Sequence, residues 1–191
     1  MLYLRNTNQI QTLAQQVQRG PAPTPTPPGT YFDGLGRQVW SKGLTNLTSS
    51  AYFNDTPQSG STIADSGSLT IPFLPNTGSA QWEGYFRAST TELYAFSASA
   101  DDAVWLWIGN EATASNPSTA SAILGAPRVL GGRTTYSGSL GLTAGIYYPM
   151  RWQYSGVFVP DFLTASFETA TISNTEDFTG YTYCSTASLG F

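Results

Sequence analysis

Short segments in which apolar and polar side chains alternate recur from residue 30 to the end of the chain. Alternation with a period of two places alternate side chains on opposite faces of a β-strand. Residues 81–88 put Trp82, Gly84 and Phe86 on one face. Residues 144–155 predict a second amphipathic strand, with Arg151 and Gln153 turned outward. Its inward face comprises Ile146, Tyr148, Met150, Trp152 and Tyr154.

Two further features refine this pattern. Residues 103–109, AVWLWIG, are apolar on both faces and predict a central strand, so Trp105 and Trp107 are expected to be core residues rather than sugar-stacking platforms. Pro149 predicts a bulge or an edge position for residues 144–155, because proline cannot donate to a strand ladder. Many short strands separated by turn signals predict an all-β fold, a jelly-roll-like antiparallel β-sandwich.

The first thirty residues have a different character. Residues 1–20 predict a short helix with one apolar stripe, formed by Ile10, Leu13, Ala14 and Val17. Residues 21–30 are rich in alternating prolines, which predicts an extended polyproline II linker. The helix either packs on its own domain or docks on another protein. We favour a docking arm, because a stiff linker separates it from the sandwich at residues 31–191.

Composition narrows the possible partners. The net charge is −4 and Lys42 is the only lysine, so a basic patch for nucleic acid is not expected. No apolar run is long enough for a transmembrane helix, so membrane insertion is not expected. Cys184 is the only cysteine, and residues 1–20 lack the features of a secretory signal peptide. These features suit a mature fragment of a secreted protein, or a subunit assembled inside a cell as virion proteins are.

Catalysis is not predicted. The chain has no histidine, which excludes Ser-His and Cys-His catalysis and ordinary zinc sites. A glycosidase needs two opposed carboxylates about 5–10 Å apart. Asp101 and Asp102 are adjacent in sequence and suit chelation better, and the remaining acidic residues are scattered.

Three sequence motifs in a fixed order carry a resemblance to a known family. The first is WEGYFRASTTELYAFSASADDAVWLWIGNEA (Trp82–Ala112), in which two aspartates precede a hydrophobic strand. The second is SGSLGLTAGIYYPMRWQYS (Ser137–Ser155), and the third is FETATISNTEDFTGYTY (Phe167–Tyr183). Together they resemble the PA-fourteen superfamily over Phe32–Tyr183, and the third is similar to its GLEYA and yeast flocculin branch. The resemblance implies a β-sandwich that binds sugars.

The resemblance also implies a metal site. In sugar-binding members, paired aspartates joined by a cis peptide chelate calcium, which holds sugar hydroxyls; here these would be Asp101 and Asp102. A second loop completes the calcium shell with an asparagine and carbonyl groups. In this chain that loop reads SGVFVPDF, with Gly156 at the asparagine position and Asp161 as a substitute ligand. A competing interpretation makes the two aspartates a hydrogen-bonded turn that caps the strands.

Aromatic residues near the predicted loops are candidates for contacting the sugar. Tyr147 and Phe158 are the ones we assign to ligand binding, and Tyr136 is also expected to be exposed near a loop. Phe158 and Pro160 additionally offer backbone carbonyls to calcium.

Three hypotheses for function remain. The first is a virion subunit of a phage (a fibre, decoration or appendage protein) that binds host-surface glycans with calcium. The second is a purely architectural virion protein, and the third is a secreted adhesin domain at the cell surface. In the first two, residues 1–20 dock on other subunits. We also expect the chain to form homo-oligomers.

Overall fold

A computed structural model describes residues 31–40, 59–63, 69, 78–115, 117–126, 133–156 and 162–185 of the chain. The predicted helical arm at residues 1–20 and the linker at residues 21–30 lie outside these ranges. Across the described ranges, no helix is long and apolar enough to cross a membrane.

The described residues form β-strands joined by turns and two short 3-10 helices, at Asn110–Thr113 and Thr119–Ser121. The strands are β1 (Tyr31–Asp33), β2 (Gly36–Trp40), β3 (Ser59–Ile63), β4 (Gly78–Arg87), β5 (Glu92–Asp101), β6 (Ala103–Ile108), β7 (Leu124–Ala126), β8 (Thr134–Leu142), β9 (Tyr147–Gly156), β10 (Phe162–Glu168) and β11 (Thr182–Ser185).

The strands form two antiparallel sheets, which confirms the predicted all-β sandwich. The large sheet has the order β1-β11-β4-β9-β6-β7, and β2 joins it by pairing with both β3 and β4. The small sheet has the order β10-β5-β8. Consecutive strands β5 and β6 belong to different sheets, so the chain crosses from one layer to the other between them.

The main core lies between the two sheets and is built from the alternation seen in the sequence. The inward faces of β4 and β9 contribute Trp82, Phe86 and Trp152, all fully buried. The Phe86 ring meets the rings of Phe96 and Phe167 edge to face, each at 5.3 Å between centroids. The predicted inward faces of both strands are therefore confirmed, since they present their large apolar side chains to the opposite sheet.

Much of the outer face of the large sheet is also buried, which the sequence pattern did not predict. Gln153 donates from Nε2 to Oε1 of Gln81 at 2.6 Å, and the hydroxyl of Ser79 donates to that of Ser155 at 2.9 Å. Arg151 and Gln153 do point away from the main core, but they are only 8% and 0% exposed. Side-chain hydrogen bonds make polar residues acceptable at buried positions. The alternation of apolar and polar residues therefore does not distinguish a covered face of a sheet from a solvent-exposed one.

The tryptophans of β6 lie on this covered outer face. Trp105 and Trp107 are 2% and 0% exposed and form a second cluster with Trp40 and Ala112. The prediction that they are core residues is confirmed, although they pack outside the space between the sheets. The indole N–H of Trp107 donates to the Ser118 carbonyl at 2.8 Å.

The expectation for Pro149 is wrong. Strand β9 is a central strand between β4 and β6, and Pro149 lies directly opposite Tyr85. The Pro149 carbonyl accepts from the Gly109 N–H, so its missing N–H faces the side on which β6 has already ended at Ile108. Proline is tolerated here because β6 has ended, so no ladder bond needs an N–H from residue 149.

Candidate functional site

The aspartate pair lies where the chain crosses between the sheets. Asp101 is the last residue of β5 in the small sheet, and Ala103 is the first of β6 in the large sheet. Asp102 is the single residue between them, and the Asp101–Asp102 peptide bond is cis. The Asp102 side chain is buried, with 3% of the residue exposed, and Asp101 is half-buried. Two adjacent acidic residues therefore lie at one end of the sandwich, where the chain crosses between the sheets.

Neighbouring strands hold this crossing in place. The Tyr154 hydroxyl donates to the Asp101 carbonyl at 2.5 Å, so a core residue of β9 anchors the backbone of the pair. Ser155 pairs with Ala103, and Phe162 pairs with Asp101. The described residues on either side of residues 157–161 therefore both lie next to the aspartates.

The donor set suits a hard cation. Carboxylate oxygens are preferred ligands of calcium, which takes six to eight oxygens. Asp101 and Asp102 supply two carboxylates, and among the described residues no third acidic, cysteine or histidine side chain joins them as a metal-binding group. Asp161, Phe158 and Pro160 lie outside the described residues. Gly156 is described and has no side chain to offer as a ligand.

The structure does not bring Tyr147 together with the aspartates. Tyr147 pairs with Arg87 at one end of β9, whereas Ser155 beside the aspartates is at the other end. Eight residues of strand separate the two positions, or about 27 Å. Tyr147 therefore does not share a site with the aspartates, because the sequence showed a loop nearby but not which end of the sandwich that loop occupies. Its assignment to ligand binding stays a prediction.

Tyr136 also differs from expectation. It lies on the inward side of β8, opposite Ala98 of β5, and packs against the main core as a partly buried residue. Its hydroxyl is buried. Tyr136 is thus a core residue rather than an exposed residue near a loop.

Tyr147 instead belongs to a cluster of tyrosines at the other end of the large sheet. Its ring stacks on Tyr31 at 6.2 Å and meets Tyr183 edge to face at 5.4 Å. The Arg87 guanidinium lies 5.8 Å from the Tyr147 ring centroid. Burial, followed by the nearby phenols of Tyr85 and Tyr147, raises the pKa of Tyr31. Sequence reasoning missed this cluster, because its members come from four strands that are far apart in sequence, although they are neighbours in the sheet.

A buried ion pair is the second feature that sequence reasoning missed. Arg151 of β9 donates from Nη2 to the Glu83 carboxylate at 2.6 Å and from Nη1 to the Ala114 carbonyl at 2.8 Å. Burial raises the pKa of Glu83 and lowers that of Arg151, and in each case the partner opposes the shift. The available signal was the pair of opposite charges at facing positions of β4 and β9. It can be recognised only when the register between these two strands is known.

The ion pair leads to a pH-dependent prediction. Because the folded-state pKa of Glu83 is raised, its contribution to stability is greatest at low pH and is lost as the pH rises through that pKa. We expect the unfolding free energy of the wild type, relative to Glu83→Gln, to increase between about pH 7 and about pH 4. Guanidinium unfolding of both proteins at several pH values measures this difference. The exposed Glu176→Gln variant controls for loss of one surface carboxylate. A stability difference between the wild type and Glu83→Gln that stays constant, or becomes smaller toward low pH, would contradict the prediction.

Comparison with known proteins gives the family resemblance a firm basis. Residues 79–161 match the GLEYA domain family. This range begins in β4, ends just before β10 and contains both aspartates. The resemblance proposed from the three sequence motifs is therefore confirmed. No curated protein sequence matches the chain.

Solved structures share the fold at low sequence identity. The epithelial adhesin 9 A domain (Epa9A) from Candida glabrata, in complex with Galβ1-4GlcNAc, has a TM-score of 0.66 at 17% identity, covering 86% of this chain and 95% of that one. The PA14 domain of the MpAFP antifreeze protein has a TM-score of 0.60 at 12% identity, covering 86% and 97%. The PA14 sugar-binding domain from an RTX adhesin has a TM-score of 0.53 at 13% identity, covering 74% and 93%.

Proposed function

We propose that this chain is a carbohydrate-binding adhesion module whose sugar site is built on a calcium ion held by Asp101 and Asp102. The observation that carries the proposal is the position of the pair. The two carboxylates lie at the crossing between the sheets, inside the GLEYA match, and next to both described ends of residues 157–161.

Proteins with the same fold support a sugar ligand. The Candida glabrata adhesin domains Epa9A and Epa6A were solved in complex with galactose-containing disaccharides, Galβ1-4GlcNAc and Galβ1-3GlcNAc respectively. A PA14 domain of similar fold is described as the sugar-binding domain of an RTX adhesin. We therefore propose a cell-surface glycan as the ligand class, and terminal galactose as the first sugar to test.

The residues of this chain have separate roles in the proposed site. Asp101 and Asp102 supply negative charge and oxygen ligands, and the Tyr154 hydroxyl holds the Asp101 backbone through its carbonyl. Asp161 and the carbonyls of Phe158 and Pro160 complete the ligand set in our proposal. Bound calcium supplies a positive charge and open coordination positions for sugar hydroxyls.

A glycan-binding module acts where glycans are exposed, so we place the chain at a cell surface or a virion surface. The similar domains named as adhesins favour the cell surface. The docking of residues 1–20 on other surface or virion subunits and the formation of homo-oligomers remain predictions.

Glycan-array binding by the full chain tests the proposal. We expect binding to one or more glycans in the presence of calcium, loss of that binding with EDTA, and recovery when calcium is restored. Binding of no glycan in calcium, or binding of all recognised glycans unchanged by EDTA, would overturn the proposed function.

A further inference from the structure

A pocket of about 280 Å³ opens on the outer face of the large sheet, lined by Glu83, Tyr85, Thr113, Pro149, Met150 and Arg151 among others. We propose that it is a second carbohydrate site, which binds one sugar ring without calcium. Three observations carry this inference: a buried donor without an acceptor, the charge balance of the pocket, and its combination of polar groups with an aromatic and aliphatic wall.

The unused donor is Nε–H of Arg151. The other two nitrogens of this guanidinium bind Glu83 and the Ala114 carbonyl, whereas Nε is buried and has no hydrogen-bond partner. The Arg151 side chain is only 10% exposed, so bulk water does not readily compensate. Buried polar groups are normally satisfied, so the unused Nε–H of this pocket-lining residue is the donor that we assign to a ligand acceptor.

Charge balance indicates a neutral ligand. Arg151 and Glu83 already neutralise each other at 2.6 Å, so an ionic ligand would bring an uncompensated charge into a largely buried site. The Glu83 side chain is 25% exposed and can still accept a hydrogen bond. A ligand that both accepts from Arg151 and donates to Glu83 fits best, and neighbouring hydroxyl groups on one ring meet this requirement.

Size and walls point to a sugar ring in particular. The pocket volume lies just below the range typical of sites for drug-sized ligands, which suits a single ring. Tyr85 and Pro149 provide the aromatic and aliphatic surface, and a sugar ring presents C–H groups as well as hydroxyls.

This pocket is separate from the aspartate pair. Arg151 pairs with Trp107 of β6, and Ser155 pairs with Ala103, so four residues of strand separate the two levels. That spacing corresponds to about 13 Å along the sheet. Calcium at the aspartates and a sugar at this pocket can therefore be tested independently.

Saturation-transfer NMR on the full chain in EDTA provides the test, with methyl β-galactoside, methyl β-glucoside and methyl α-mannoside as probes. The blocking variant is Thr113→Trp, because Thr113 is exposed and lines the pocket. Thr135→Trp, at an exposed position of β8 on the small sheet, is the matched control. Thermal unfolding confirms that each variant is folded.

We expect saturable binding of at least one probe in EDTA, loss of that binding in Thr113→Trp, and retention in Thr135→Trp and in Asp101→Asn/Asp102→Asn. Absence of binding by every probe, or equal binding by the wild type and folded Thr113→Trp, would overturn the second site. Either result leaves the calcium-dependent function to its own test, since that test depends on the aspartates and on calcium.

Discussion

The double variant Asp101→Asn/Asp102→Asn is expected to bind calcium more than about 100-fold more weakly than the wild type, because even loss of groups behind the direct ligands costs 10–100-fold. Asparagine keeps the size of aspartate and one acceptor oxygen, but it replaces the other oxygen with an NH2 donor and removes both negative charges. Calcium affinity in oxygen-ligand sites depends strongly on the number of charged ligands. Calorimetric titration of the full chain measures the change directly.

Thermal unfolding gives a second measurement of the same site. Calcium at 100 times its dissociation constant would stabilise the wild type by about 2.7 kcal/mol and the double variant much less. Asp33→Asn is the matched control, because Asp33 is exposed and pairs with Tyr183, which contacts Tyr147 at the opposite end of β9 from the aspartate pair. Equal calcium affinity of the wild type and the double variant would support the competing interpretation, in which the aspartates form a hydrogen-bonded turn.

Phe86→Ala is expected to lower the free energy of unfolding by about 3–5 kcal/mol, the range for removing a large buried aromatic side chain. Phe86 is fully buried, and its ring contacts those of Tyr94, Phe96 and Phe167 at 5.5, 5.3 and 5.3 Å between centroids. All three partners lie on strands of the small sheet, Tyr94 and Phe96 on β5 and Phe167 on β10. Removing the ring leaves a cavity where the two sheets meet.

Chemical denaturation by guanidinium measures this loss, with Leu93→Ala as the control. Leu93 is 43% exposed on β5, next to buried Tyr94, so its truncation creates no comparable cavity. We expect the Leu93 variant to remain within about 1 kcal/mol of the wild type. Similar losses in the two variants would mean that Phe86 does not have a central role in packing the two sheets together.

The residues of the main core could be predicted from the sequence, because the alternation along a strand depends only on residues close together in the chain. Trp82 and Phe86 share a face whatever strand lies next to β4, and burial of both faces of β6 follows from its unbroken apolar run. The aspartate pair could also be identified as a candidate site, because two adjacent acidic residues before such an apolar run form a local motif. No partner strand had to be known for any of these predictions.

Long-range pairing decided what the sequence left open. Arg151 and Gln153 alternate as an outward face should, yet both are buried, and residues of β4 hold them through the Arg151–Glu83 ion pair and the Gln153–Gln81 hydrogen bond. Pro149 was expected at a bulge or an edge, but β6 ends just where the missing N–H would be needed. Neither result depends on the residues next to these positions in the chain.

The candidate sites likewise depend partly on residues adjacent in the chain and partly on long-range pairing. The sequence by itself determined the all-β class, the inward faces of the main strands and the aspartate motif, since each depends on residues adjacent in the chain. Tertiary structure alone decided that Tyr147 lies at the opposite end of β9 from the aspartates and that Glu83 and Arg151 line one pocket. The physical reason is that register, strand direction and sheet order bring distant residues together, and these depend on the packing of the whole domain.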